Sequence, residues 1–195
     1  MTCRRAATHS RTRTFFLACG VALLGSGCGP RASRAAPPRG PELPERATVP
    51  TGPERCGNAL DDNGNGLAEE GCGLSGGAVE FLTSWDEAGA DIDLRVIDPN
   101  EELVEVGRPT QSGLVKERDC PGREGECRGK NLESVYQEQG EPARGKYGVR
   151  VVLVSLGNSE PPVDVRFWAR LGSRVHAAAF RLPRVESDWH ATLVF

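Results

Sequence analysis

The sequence predicts an all-β fold, a two-sheet antiparallel β-sandwich of the jelly-roll or immunoglobulin-like kind, preceded by a small disulfide-closed loop and a disordered tether. Three observations carry this expectation. Beyond residue 73 apolar and polar side chains alternate at period two, clusters of Gly, Pro, Asn and Asp interrupt the alternation, and no stretch shows the period of an amphipathic helix. At 195 residues there is room for one domain of about 120 residues beside processed and linking segments.

Residues 1–27 read as an export signal. Arg4, Arg5, Arg11 and Arg13 precede an apolar run over 15–24, too short to span a bilayer, and Gly25, Ser26 and Gly27 lead to Cys28. The run LLGSGC resembles a bacterial lipobox, which implies that Cys28 takes a diacylglycerol thioether and becomes the mature N-terminus; a typical lipobox has Leu where Gly25 stands. Simple cleavage after Gly27 also satisfies a small-x-small site. The Arg4–Arg5 pair lacks the Phe-Leu-Lys that a twin-arginine signal would carry. Cys3 and Cys19 leave with the signal, and the five remaining cysteines are an odd number. Lipidation of Cys28 leaves four, which can pair locally as Cys56 with Cys72 and Cys120 with Cys127 in an oxidising compartment. Each such ring stabilises its segment by roughly 3 kcal/mol, less any strain. The expected location is a bacterial cell envelope, at the outer membrane or cell surface, with membrane contact through the lipid. Without the four arginines of the signal, 20 basic residues stand against 27 acidic ones, which argues against nucleic acid as a partner.

Residues 28–53 are expected to be the tether. From Gly29 onward the segment holds seven prolines and three glycines and almost no large apolar residue, so it lacks the surface to offset the entropy of ordering.

Residues 54–73 form the expected loop, centred on CGNALDDNGNGLAEEGC. Counted from Asp61 as position 1 of an EF-hand-type loop, Asn63 and Asn65 fall at 3 and 5, Gly66 at the sharp turn, the Leu67 carbonyl at 7 and Glu69 at 9. Position 12, normally a bidentate Glu, is Cys72, so Glu70 or Asp62 must supply the missing oxygen and a Cys56–Cys72 bridge replaces the flanking helices. The expected cofactor is calcium. A tight turn rich in Gly and Asn, held by a disulfide and empty of metal, fits the same residues. The run CGN, a D-rich segment, NG, two acidic residues and GC resembles the MopE-like metal-binding motif of bacterial surface and secreted proteins. That motif usually has Asp at the places of Asn63 and Asn65 and often a Cys at that of Gly64, so the resemblance implies weak, millimolar-range binding and a single cysteine pair.

Residues 74–195 are the expected sandwich. Alternation places Val79, Phe81 and Thr83 on one face of a first strand. It does the same for Ile92, Leu94 and Val96, for Tyr147, Val149, Val151 and Leu153, for Val163, Val165, Phe167 and Ala169, and for Trp189, Ala191, Leu193 and Phe195. Further strands are expected at ELVEV, LVKE, LESVYQ and SRVHAAAFRL. Trp85, Trp168 and Trp189 lie in or at the end of strand patterns and are expected to pack rather than to form a sugar platform. The run FLTSWDEAGADIDLRVIDPNEE, the later GKNLES and the closing GKYGVRVVLV resemble a YfaP-like domain of unknown function over about residues 76–182. Asp91, Asp93, Leu94, Pro99, Asn131, Gly145, Tyr147, Val149 and Val151 match its outline; Arg95, where a histidine is common, and the insertion over 119–127 depart from it. The resemblance implies binding or scaffolding more readily than catalysis.

Asp91 and Asp93 share a strand face and could hold a second cation with Asp98 or Asp119, or simply solvate an edge. His176 and His190 have no zinc spacing, and there is no GxSxG, Walker loop or catalytic-cysteine signature. These patterns imply no enzyme. The expected role is a calcium-stabilised, lipid-anchored module that binds or scaffolds, its partner an envelope protein or glycan. The alternatives are a carbohydrate-binding module or the accessory domain of a secreted hydrolase.

Overall fold

A computed structural model describes residues 40–121, 127, 129–138 and 140–195. The signal peptide, Cys28 and the first part of the tether lie outside them. Eight strands are present: β1 (Val79–Trp85), β2 (Asp91–Ile97), β3 (Leu114–Arg118), β4 (Leu132–Gln137), β5 (Lys146–Ser155), β6 (Val163–Leu171), β7 (Arg174–Leu182) and β8 (Asp188–Val194). They form two antiparallel sheets, β3-β4-β1-β6-β7 and β2-β5-β8. The ninth expected strand, ELVEV, makes only isolated bridges: Leu103 to Ile97, Glu105 to Arg108 and Val106 to Lys116.

Most of the side chains expected to face inward do so, with Trp189 and Phe195 half-buried at the margin. Val79, Phe81, Ile92, Leu94, Val96, Tyr147, Val149, Val151, Leu153, Val163, Val165, Phe167, Ala169, Ala191 and Leu193 form one buried cluster between the sheets. Strand β1 is nevertheless buried at all seven positions, which period-two alternation does not predict. Its second face is covered too: Leu82 joins Leu132 of β4 and Trp168 of β6 in a separate cluster capped by Ala59, Ala68 and Leu74 from the acidic loop. That loop therefore lies as a third layer on the five-stranded sheet. Its ends are pinned there by Arg166 Nε donating to Asn58 O (3.0 Å), Lys130 Nζ to Cys72 O (2.9 Å) and Ser75 N to the Glu117 carboxylate (3.0 Å).

The tether reading needs correction over residues 40–53, which are docked. Leu43 N donates to Thr192 O (2.9 Å) and Thr192 N to Pro41 O (2.8 Å), a parallel bridge on the β8 edge. The chain then crosses to β7, where Arg46 N donates to Val175 O (2.9 Å) and buried His176 donates through Nδ1 to Leu43 O (2.9 Å). Thr51 N reaches Asp62 O of the loop (2.8 Å). Gly40 is required at the entry, since a Cβ there would stand 2.2 Å from His190 O. Proline suits this position, because a strap that closes an edge needs few donors of its own.

Trp168→Ala should destabilise the fold by about 3–5 kcal/mol, read as a lower urea midpoint. Because Trp168 carries the loop, protease cleavage within residues 56–72 should accelerate in the same variant.

Candidate metal centre

The loop has no helix or strand to satisfy its backbone, and four carboxylates do that work. Cys56 and Cys72 are bonded, with their Cα atoms 5.4 Å apart. Asp61, buried, accepts from the N–H groups of Gly64 (2.7 Å), Asn65 (3.0 Å) and Gly66 (2.8 Å), so the residue expected first in the ligand set also closes the turn. Asp62 accepts from the Thr51 hydroxyl (2.8 Å), the Asn58 amide (2.8 Å) and Arg55 (3.0 Å). Burial pushes its carboxyl up, but these three partners outweigh it and hold Asp62 well below the usual carboxylate range. Glu54 accepts from Asp62 N (3.0 Å) and Glu69 N (2.7 Å), and burial raises it.

Glu69, expected at position 9 of the ligand set, is turned to a different task. Its two oxygens accept from Gly57 N (2.6 Å), Asn58 N (2.7 Å) and Ala59 N (2.9 Å), capping the turn after Cys56. This network holds Ala59 and Glu69 at φ 50° and 61°, left-handed conformations that side-chain-bearing residues adopt at a cost. Leu67 donates its N–H to Asn65 Oδ1 (2.8 Å), with its side chain outside.

The remaining expected ligands converge. Asn63 and Asn65 both donate their amide groups to Glu70 Oε1, the second at 2.7 Å, while their Oδ1 atoms accept from Asn65 N (3.0 Å) and Leu67 N. Glu70 Oε2 is buried with no hydrogen-bond partner. A carboxylate oxygen removed from water without a donor or cation is costly, so this atom is where an ion would bring the largest gain. Asn63 and Asn65 thus turn their amide nitrogens to Glu70 and their oxygens to backbone N–H groups, as Asp61 does, so of the expected side-chain ligand atoms Glu70 Oε2 is the one left without a partner. Cys56, Glu69 and Cys72 also lie together, but the disulfide removes both sulfurs as ligands.

No protein-family model, curated protein or solved structure matches the chain.

A second acidic group joins β2, β4 and the turn after β3, where Asp93, Asp119 and Glu133 bring carboxylate oxygens within 4.8 Å of one another. Of the pair weighed from the sequence it includes Asp93, with Asp119, but not Asp91, while Asp98 instead caps its own turn through Asn100 N (2.9 Å) and Glu102 N (2.8 Å). The charge these carboxylates need is already supplied: Lys116 Nζ stands 2.5 Å from Asp119 Oδ1 and 2.9 Å from Glu133 Oε2. Sequence reasoning passed over Lys116 and Glu133, because a lone Lys and a lone Glu in strand patterns carry no ligand or catalytic spacing. Of the tryptophans, Trp85 and Trp168 are buried, and Trp189 stacks on Phe180 at 4.5 Å.

Beneath the loop, Glu80 is buried on the outer face of β1, 3.7 Å from Arg170. Burial raises its carboxyl to about 7, against the pull of Arg170. The folded state thus binds a proton that the unfolded chain releases in the usual glutamate range, so this stability is present at low pH and lost as pH rises to about 7. Glu80→Gln should abolish up to about 3 kcal/mol of that loss. Urea unfolding at pH 5 and pH 8 should show the variant weakening less than the wild type, the remaining loss belonging to the other raised acid, Glu133.

Proposed function

We propose that this chain is a binding or structural module of a bacterial cell envelope, anchored through lipid on Cys28, stabilised by calcium in the 56–72 loop, and turning over no external substrate. The observation that carries the metal assignment is Glu70 Oε2, a buried and unpartnered carboxylate oxygen on the side chain that gathers the amides of Asn63 and Asn65. Charge supports it: residues 54–72 hold five carboxylates against the single guanidinium of Arg55, and an ion would relieve their repulsion. The paired Cys56 and Cys72, and Cys120 and Cys127, support an oxidising compartment and leave Cys28 as the odd thiol of the exported chain. The strap over 40–53 supports anchoring as well, since a pull on the N-terminus meets the β8 edge and the loop before it reaches the core. A ligand or partner is an envelope protein or glycan.

Thermal unfolding in millimolar calcium against chelator should show a rise of several degrees, consistent with about 1.4 kcal/mol at ten times Kd. Glu70→Gln should lose most of that rise while matching the wild type in chelator; equal midpoints of the wild type in both buffers would refute the site. Cys28→Ser should move the protein from the membrane fraction to the soluble one, and continued sedimentation would count against the anchor.

A further inference from the structure

Lys116 is the one buried lysine of the three in the chain, with 8% of its side chain exposed. The pairing of β3 with β4 slips between Lys116 and Arg118, and beyond the slip Asp119 returns to the side of Lys116. Glu133, on β4, is fully buried and fixed through both oxygens, which accept from Leu94 N (2.6 Å) and Cys120 N (3.2 Å). An amine, a carboxyl it touches at 2.5 Å and a buried acid 2.9 Å from the amine are therefore locked together.

We propose that Lys116 and Asp119 condense to an intramolecular isopeptide bond, with Glu133 as the catalytic proton carrier. The ammonium gives a proton to Glu133 and becomes a nucleophile. Its lone pair attacks Cγ of Asp119, the new N–C bond forms, and one Cγ–O bond breaks. The departing oxygen leaves as water with two of the three ammonium protons, relayed by Glu133, and the third stays on the amide nitrogen. No oxidant, cofactor or second substrate is needed.

Two physical features favour the step. Contact is pre-formed, and effective molarities for oriented intramolecular reactions reach about 10⁵–10⁸ M. Burial works against both charges, yet Glu133 and Asp119 hold the Lys116 ammonium above its ordinary range and Lys116 holds the Asp119 carboxyl below its own, so the ion pair is the resting state and the step must draw on the pre-formed contact and on proton transfer to Glu133. Glu133 is suited to carry a proton near neutrality, since burial raises it to about 8 even against the charge of Lys116. The neighbouring Asp91, raised by burial and by Asp93 and Asp119, adds negative charge that retains protons in the cluster. The product would close the β3 bulge covalently beside the Cys120–Cys127 bridge, in a strand that disulfides alone do not hold.

The test is peptide mapping by mass spectrometry of the full-length chain after reduction and trypsin. The expected result is no cleavage after Lys116 and a branched fragment, joining Lys116 to Asp119, lighter by one water than its parts. Separate fragments of full mass, cut after Lys116, would overturn the proposal. Lys116→Arg keeps a cation but no amine and should show full mass; a water loss persisting there marks a cyclised aspartate and also overturns it. Asp119→Asn should release ammonia instead and give a product of the same mass as the wild type, which a mere ion pair would not. Glu133→Gln should leave the bond unformed in folded protein, and a bond formed at the wild-type rate would remove Glu133 from the mechanism. If that variant fails to fold, the Arg and Asn variants decide the bond itself.

Discussion

A sheet that is apolar on both faces must be covered on both, and this constraint organises the molecule. The first face of the five-stranded sheet meets the three-stranded sheet; the second, built from Leu82, Leu132 and Trp168, meets chain with no regular structure. Irregular chain laid on an apolar surface has N–H groups that neither water nor a ladder can satisfy. Glu54, Asp61, Asp62 and Glu69 supply the acceptors, and bonds to ionised carboxylates are about twice as strong as neutral ones. The acidity of the loop is thus a folding requirement before it is anything else. The disulfide shortens the search for this arrangement without making any of these bonds.

The same device closes a sheet edge. Strand β2 lies at the margin of the three-stranded sheet, and the N–H of Leu94 is taken by Glu133 from the opposite sheet rather than by another strand. At the far margin the strap bridges β8 and β7 with a few backbone bonds. Open edges invite pairing with other chains, and both solutions blunt them with groups that cannot extend the sheet. In the first case the solution places a carboxylate deep inside, and Lys116 is the counter-charge that makes it tolerable.

Most of the sandwich was legible in the sequence, because period two survives wherever one face is buried. The inward residues of β2, β5, β6 and β8 follow from alternation alone. What alternation could not convey is a second buried face: Leu82 stands at a position opposite the inward residues of β1, and though Trp168 was expected to pack, the layer of loop it packs against was not foreseen. Composition misled over residues 40–53 for a related reason. A proline-rich segment lacks the surface to fold by itself, yet here a few carbonyls and amides suffice, because an edge with unpaired partners is already in place. The ELVEV segment is too short for a strand because Glu102 closes one turn with Asp98 and Glu105 opens another with Arg108, leaving Leu103 and Val104 to bridge β2 between them.

The loop shows why ligand patterns and turn patterns are hard to separate. Asp or Asn at alternating positions followed by Gly is what an oxygen cage requires, and it is also what successive side-chain-to-backbone turns require. Asp61, Asn63 and Asn65 perform the second task, and their sequence spacing cannot distinguish it from the first. Glu70 differs: it caps no backbone group, it gathers the amides of Asn63 and Asn65 on one oxygen, and it leaves the other oxygen buried without a partner. The turns therefore account for every acid in the loop but this one. Asp61 Oδ1, Asp62 Oδ1 and Glu69 Oε1 each accept two hydrogen bonds and are spent on the turns, so an ion at this loop would have to be held first by Glu70, whose position the amides of Asn63 and Asn65 already fix.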